Sequence, residues 1–234
     1  MKKKIILAIV IFLLMGWLIY RNFSNNSSST PGYPVENASD SSFFSLKKGD
    51  ILIRPNWSWL PGSFPVEGGR KFGHVAVVTE NGSGKTIDEA LAQASVVEAL
   101  FYDQATRKFL FRKDDQIREG KAAIAFGNRF KGIRYRLRTP LSDDEADAII
   151  RFLRNQLESG YNILALKKQV PSVSERLDIL RNLRQDGWHC ATLTWEAFHL
   201  AKGLDIDSNQ GWLIYPSDII SSKIFDSPGG RVRF

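Results

Sequence analysis

The sequence predicts an α+β domain, with an antiparallel sheet packed against helices and a transmembrane helix ahead of it. Three observations carry that prediction. The first half holds short β-branched runs punctuated by Gly, Asn and Pro, the second half holds runs with helical periodicity and capping signals, and a lysine-led apolar stretch stands at the N-terminus. Strands gathered before helices favour α+β over alternating βαβ units.

The N-terminal element comes first. Met1-Lys2-Lys3-Lys4 precedes an almost unbroken apolar run from Ile5 to Tyr20, closed by Arg21. Such a run is signal-type, and because it ends in Trp17-Leu18-Ile19-Tyr20 rather than in small residues, retention as an anchor over residues 1–21 is expected, with cleaved export as the alternative. Lysines ahead of the run place the chain beyond Arg21 outside the cytoplasm. Residues 22–44, rich in Ser and Asn, read as a flexible linker, and residues 45–234 as the folded domain.

Net charge is +7, but Lys2, Lys3, Lys4 and Arg21 belong to the anchor and leave +3 for the remainder. That balance argues against a nucleic-acid partner. The dense basic stretch from Arg129 to Arg138 reads as a solvated strand face.

In the body, Ile51-Leu52-Ile53 predicts the first strand, and Trp57 to Arg70, with two Trp and two Pro, a long loop. Gly73-His74-Val75-Ala76-Val77-Val78-Thr79 predicts the second strand, broken at Asn81-Gly82 by a hairpin signal. Further strands are expected near 95–101, 108–111, 122–126 and 133–136. Ser142 with Glu145 forms a capping box ahead of a helix ending near Glu158. A second helix is expected over 174–184, and a third from Cys190 to Ala201, stopped by Gly203.

The chemistry centres on Cys190, the sole cysteine. It cannot form an intramolecular disulfide, and a helix start is a setting that stabilises a thiolate. A cysteine nucleophile needs a base. Of three histidines, His189 is the immediate neighbour and His199 lies nine residues along the same helix, so His74 is the expected base. If Asn81-Gly82 turns a hairpin, Glu89 falls on the face of His74; a loop of odd length substitutes Asp88. Backbone N–H groups at the helix start are placed to bind an oxyanion.

Leu46-Lys47-Lys48-Gly49-Asp50-Ile51-Leu52, Gly73-His74-Val75-Ala76-Val77-Val78, Ile87-Asp88-Glu89-Ala90 and His189-Cys190 at a helix start together resemble the circularly permuted branch of the NlpC-type papain-like amidases, the YiiX and YycO groups among them. The resemblance spans roughly residues 45–225. It implies a permuted papain-like fold with the order His, acid, Cys, here His74, Glu89 and Cys190. It departs from the family pattern at Ala191, where serine is common, and in the long basic segment from Leu164 to Asp186.

The resemblance implies a cysteine hydrolase cleaving amide bonds in peptidoglycan stem peptides; the N-terminal run adds the expectation of a membrane-anchored, extracytoplasmic domain, and a monomer is expected. Lipid acyl transfer or thioester hydrolysis on the same site is the alternative, and a non-catalytic wall-binding scaffold the third. Trp57, Tyr161 and His189 are candidate substrate contacts. One Cys and three scattered His make no metal ligand cluster, and no cofactor is expected.

Overall fold

The computed structural model describes residues 10–16, 34–38, 43–55, 64–66, 70–103, 106, 108–167, 187–208 and 211–234. Its strands, in chain order, are β1 (Glu36–Asn37), β2 (Phe44–Leu46), β3 (Ile51–Pro55), β4 (Phe64–Val66), β5 (Arg70–Glu80), β6 (Gly82–Gly84), β7 (Ser95–Ala99), β8 (Tyr102–Asp103), β9 (Lys108–Phe109), β10 (Ile117–Lys121), β11 (Tyr135–Leu137), β12 (Gly160–Tyr161), β13 (Gly187–Trp188) and β14 (Arg231–Arg233). The helices of the domain are α1 (Ile87–Gln93), α2 (Ala122–Phe126), α3 (Asp143–Asn155), α4 (Cys190–Lys202) and α5 (Pro216–Ile220).

The architecture is α+β around a sheet of order β1-β14-β11-β3-β5-β7-β10, with β4 paired to β5. The sheet is mixed rather than wholly antiparallel, because β1 joins β14 in parallel while the pairs between β14 and β10 run antiparallel. That edge pair draws on the stretch expected to be a linker: Glu36 and Asn37 align with Val232 and Arg233, and the buried Arg231 guanidinium donates to the Pro34 carbonyl at 2.8 Å.

The expected membrane-spanning helix is corrected. Among the described residues no helix is long and apolar enough to cross a membrane. Residues 10–16 are the described helical residues of that stretch.

Alternation along the strands divides the core in two. Ile51, Ile53, Val75, Val77, Val97 and Ala99 face α4, whereas Leu52, Ala76, Val78 and Val96 face α1 and α2. Helix α3 starts on the expected capping box, with Ser142 Oγ accepting from Glu145 N–H and the Glu145 carboxylate accepting from Ser142 N–H. Helix α4 ends at Gly203, whose φ of 69° is the left-handed geometry glycine adopts without a Cβ penalty.

Three local expectations fail for identifiable reasons. Asn81-Gly82 does not turn a hairpin, since β6 pairs with β2 and not with β5. Residues 87–93 are helical because Thr86 caps them, its hydroxyl accepting from Glu89 N–H. Gly82 is required there for close approach: a Cβ would lie 2.1 Å from the Ala90 carbonyl oxygen. Residues 122–126 form α2 instead of a strand. The basic stretch is no solvated face either. Arg134 and Arg136 are buried, with Arg134 stacked over Phe234 and Arg136 donating to the carbonyls of Ser45 and Gly229. The expected helix over 174–184 lies outside the described residues.

Candidate active site

The site forms at the end of the central strands where the rows of aliphatic side chains give way to charge. Arg54 on β3 sits directly opposite His74 on β5, and Glu98 on β7 sits opposite both Ala76 on β5 and Arg118 on β10. These four side chains therefore leave one face of the sheet. His74 and Glu98 are diagonal neighbours, within reach for long side chains. His74 Nε2 meets Glu98 Oε2 at 2.8 Å, both groups buried. Arg118 secures the other carboxylate oxygen through Nε at 3.1 Å and reaches Asp103 through a terminal nitrogen at 3.1 Å.

Cys190 arrives from the other face. Helix α4 lies against β5 and α3, and its first residue brings Sγ to the backbone N–H of Val75, the residue after His74. The N–H groups of Cys190 and Ala191 also point at the sulfur. His189 is the N-cap of α4 and adopts extended backbone, so the helical angle expected between it and Cys190 does not apply. Its Nδ1 accepts from Ala191 N–H at 3.3 Å and lies 3.9 Å from Sγ. With that lone pair committed, His189 carries its proton on Nε2. Its ring is flanked by Tyr161, with centroids 5.7 Å apart, and by Tyr215 at 6.0 Å.

Burial dominates the electrostatics. It pushes the Cys190 thiol up to about 11, against the pull of the backbone donors and of Arg54. The thiolate-stabilising effect expected of the helix start is outweighed by desolvation. Burial, helped by the Arg54 charge, lowers His74 to about 4 despite the Glu98 carboxylate, and burial with His74 nearby lowers His189 to about 3. Glu98 moves the other way: burial would raise it, but the His74 hydrogen bond and the charges of Arg118 and Arg54 hold it below the usual carboxylate range. The site at neutral pH thus pairs an ionised Glu98 with a neutral His74 that donates from Nε2, leaving Nδ1 as the basic nitrogen.

Of the sequence-derived residues, the structure puts Cys190 beside His189 and His189 beside Tyr161, places the His74 side chain on the other face of the strand whose Val75 N–H meets the sulfur, and gives His74 a different acid. Glu89 lies on α1, where its carboxylate accepts from Lys85 N–H at 2.8 Å, and the carboxylate on His74 is that of Glu98. Asp88 is likewise on α1, facing the Arg134 guanidinium at 3.9 Å. The missed signal was Thr86-Ile87-Asp88-Glu89, a capping-box pattern that places Glu89 in a helix and hands the cross-strand position to Ser95-Val96-Val97-Glu98-Ala99. Trp57 lies outside the described residues. Among the described residues no group of three His, Cys, Asp or Glu side chains is arranged to hold a metal ion.

Comparison with known proteins adds one short likeness. Over 44 residues the chain is 54% identical to the uncharacterized protein YycO of Bacillus subtilis (strain 168), a match that spans 18% of this chain and 18% of that protein. No family model matches the chain, and no solved structure matches it. The likeness is compatible with a YycO-like group.

Proposed function

We propose that the protein is a cysteine hydrolase of the permuted papain-like kind, with Cys190 as nucleophile, His74 as general base and Glu98 as the residue that orients the imidazole. The observation that carries this reading is the buried His74–Glu98 pair at 2.8 Å, whose strand delivers Val75 N–H to the Cys190 sulfur. The chain order His74, Glu98, Cys190 matches the order that the resemblance implies, with the acid moved nine residues downstream of Glu89.

The step balances simply. Sγ attacks the carbonyl carbon while the thiol proton passes to His74 Nδ1; the imidazolium then protonates the departing amine, and water, deprotonated by the same nitrogen, hydrolyses the acyl-thioester. Oriented N–H groups at the start of α4 receive the developing oxyanion. Cys190 is 2% exposed, so a carbonyl reaches Sγ only after side chains packed around it move. Peptidoglycan stem peptides are the proposed substrates. The lysine-led signal-type run supports an extracytoplasmic location that would bring the site to them.

One feature favours a second reading, acyl transfer or thioester hydrolysis. From His189 a chain of rings runs through Tyr161 and Phe101 to Phe109 and Phe111, with successive centroids 5.5 to 6.5 Å apart, and Phe111 is 81% exposed. Such an apolar path suits an acyl chain. Incubation of the purified chain with synthetic stem peptides and with long-chain acyl thioesters separates the readings. Release of a new amine, lost in Cys190→Ala, supports the amidase; release of free thiol alone supports the thioesterase; neither, with an unreactive Cys190, overturns both.

A further inference from the structure

The exposed apolar side chains of the domain are not scattered. Beyond the N-terminal run, every large hydrophobic left exposed among the described residues, Phe43 and Ile124 apart, lies on segments joined to the two tyrosines that flank His189. Tyr161 leads along the chain into Ile163, Leu164 and Leu166, and Tyr215 is preceded by Trp212, which is 86% exposed. A bridge between Leu166 and Leu213, with Lys167 N–H donating to the Trp212 carbonyl at 2.8 Å, ties these two segments together. The third segment carries Phe109 and Phe111, whose rings reach Tyr161 through Phe101. Its place is fixed by the buried Gln116, which donates to the Leu110 carbonyl and accepts from Tyr161 N–H at 2.6 Å. Single exposed hydrophobics need no explanation; a gathering of them at one mouth does.

We propose that Phe109, Phe111, Ile163, Leu164, Leu166 and Trp212 form a rim that docks on an anionic lipid bilayer and seats the Cys190 site against the membrane surface. The surface itself rests on exposure and charge; its being the mouth of an active site rests on the reading of Cys190 as nucleophile. Cations bracket the aromatic segment. Lys108 and Lys113 are exposed, and no ion pair to either is found among the described residues, whereas Arg112 is held at the surface by Asp114 and Asp115. Rings beside cations make the composition of a bilayer interface, where the rings enter the headgroup layer and the cations meet anionic lipid. The spread over three segments and the two lysines favour a bilayer over a single acyl chain, which would leave that charge unmet.

The full chain also carries the apolar run from Ile5 to Tyr20, so bulk sedimentation with vesicles does not test the rim and the readout must be local. Cys190→Ala removes the sole cysteine, and Phe111→Cys, Trp212→Cys or Ser83→Cys in that background takes one polarity-sensitive dye; Ser83 is exposed on β6, which packs against α1. With vesicles of phosphatidylglycerol and phosphatidylcholine, the dye at positions 111 and 212 is expected to shift to the blue and to be quenched by lipids brominated along the acyl chain, while the dye at 83 stays in water. The lipid concentration giving half the shift at 111 should rise about tenfold or more in Lys108→Glu/Lys113→Glu. Near-ultraviolet circular dichroism confirms that each variant is folded; Phe109→Cys replaces Phe111→Cys if that variant fails to fold. A response at either rim position no larger than at 83 overturns the inference, as does an equal response to phosphatidylcholine alone. So does a shift produced without vesicles, by soluble poly(glycerol phosphate) or by lysolipid below its micelle concentration. Failure of the catalytic reading looks different: rim insertion survives while the parent turns over neither stem peptides nor acyl thioesters.

Discussion

The same face of the same strands behaves differently at its two ends. Toward α1, Leu52, Ala76, Val78 and Val96 pack into an aliphatic core, each such side chain contributing roughly 1.5–3 kcal/mol on burial. Two residues along, the rows continue as Arg54, His74 and Glu98, equally buried but carrying charge or a titratable ring. Nothing about secondary structure distinguishes the ends. The difference teaches that the fold's stability is concentrated under α1 and α4, and that the polar end is retained at a cost: a neutral imidazole, an ionised carboxylate and an arginine for which no ion pair is found among the described residues, all out of water.

The comparison breaks most sharply at the sulfur. Cys190→Ala removes one buried sulfur from the apolar side of the sheet and is expected to leave the fold intact while reducing turnover by a factor on the order of 10⁴ or more, as loss of a nucleophile does. Product release measured beside thermal unfolding checks both halves. Retained turnover would place the chemistry elsewhere.

Glu98→Gln sharpens the polar end next. An amide can donate to His74 Nε2 and so favour the tautomer with its proton on Nδ1, which cannot accept from the thiol; a loss in kcat on the order of 10²–10⁴ is expected, by the logic of an orienting carboxylate. Glu89→Gln is the internal control. It alters a group on α1 that faces Lys85 N–H, and turnover should stay within twofold. The reverse ranking would restore Glu89 to the site.

At the aliphatic end the corresponding experiment is Gly82→Ala. Its new Cβ would meet the Ala90 carbonyl 2.1 Å away, forcing α1 off β6, and a loss of about 1–3 kcal/mol is expected from overpacking of this kind, read by denaturant unfolding with turnover per folded molecule unchanged.

The two ends were also unequally legible in the sequence. Local signals with a stereochemical cause carried through: the Ser142–Glu145 capping box, the Gly203 stop and the helix headed by Cys190 all stand where the pattern puts them. His74 was found because few histidines compete. Glu98 was not, since its position depends on pairing between β5 and β7 across an intervening helix, and an Asn-Gly pair imitated a shorter connection. Arg54 was invisible for the same reason. Burial of a charged residue is a property of its cross-strand neighbours, and nothing in Ile53-Arg54-Pro55 distinguishes it from an exposed arginine.

Acid should separate the ends by the smallest step, and the sign is set by the histidines. His74 and His189 titrate in the fold at about 4 and about 3, below the ordinary value of 6.5, so between those limits the unfolded chain binds more protons than the folded one. Stability contributed by keeping them neutral is therefore fully present above pH 6.5 and is lost as pH falls toward 4, by up to about 1.4 kcal/mol per pH unit for each histidine. Glu98, held low, adds to the decline below the ordinary carboxylate value, because the unfolded chain takes up that proton first. Urea unfolding at pH 7.5, 6, 5 and 4.5 should show the decline in the parent, and His74→Phe should flatten it by about half while retaining the ring that stacks on Phe126. A parent whose stability is constant from pH 7.5 to 4.5 would mean that the polar end opens to water readily, and the contrast between a sealed charged end and a sealed aliphatic end would not hold in solution.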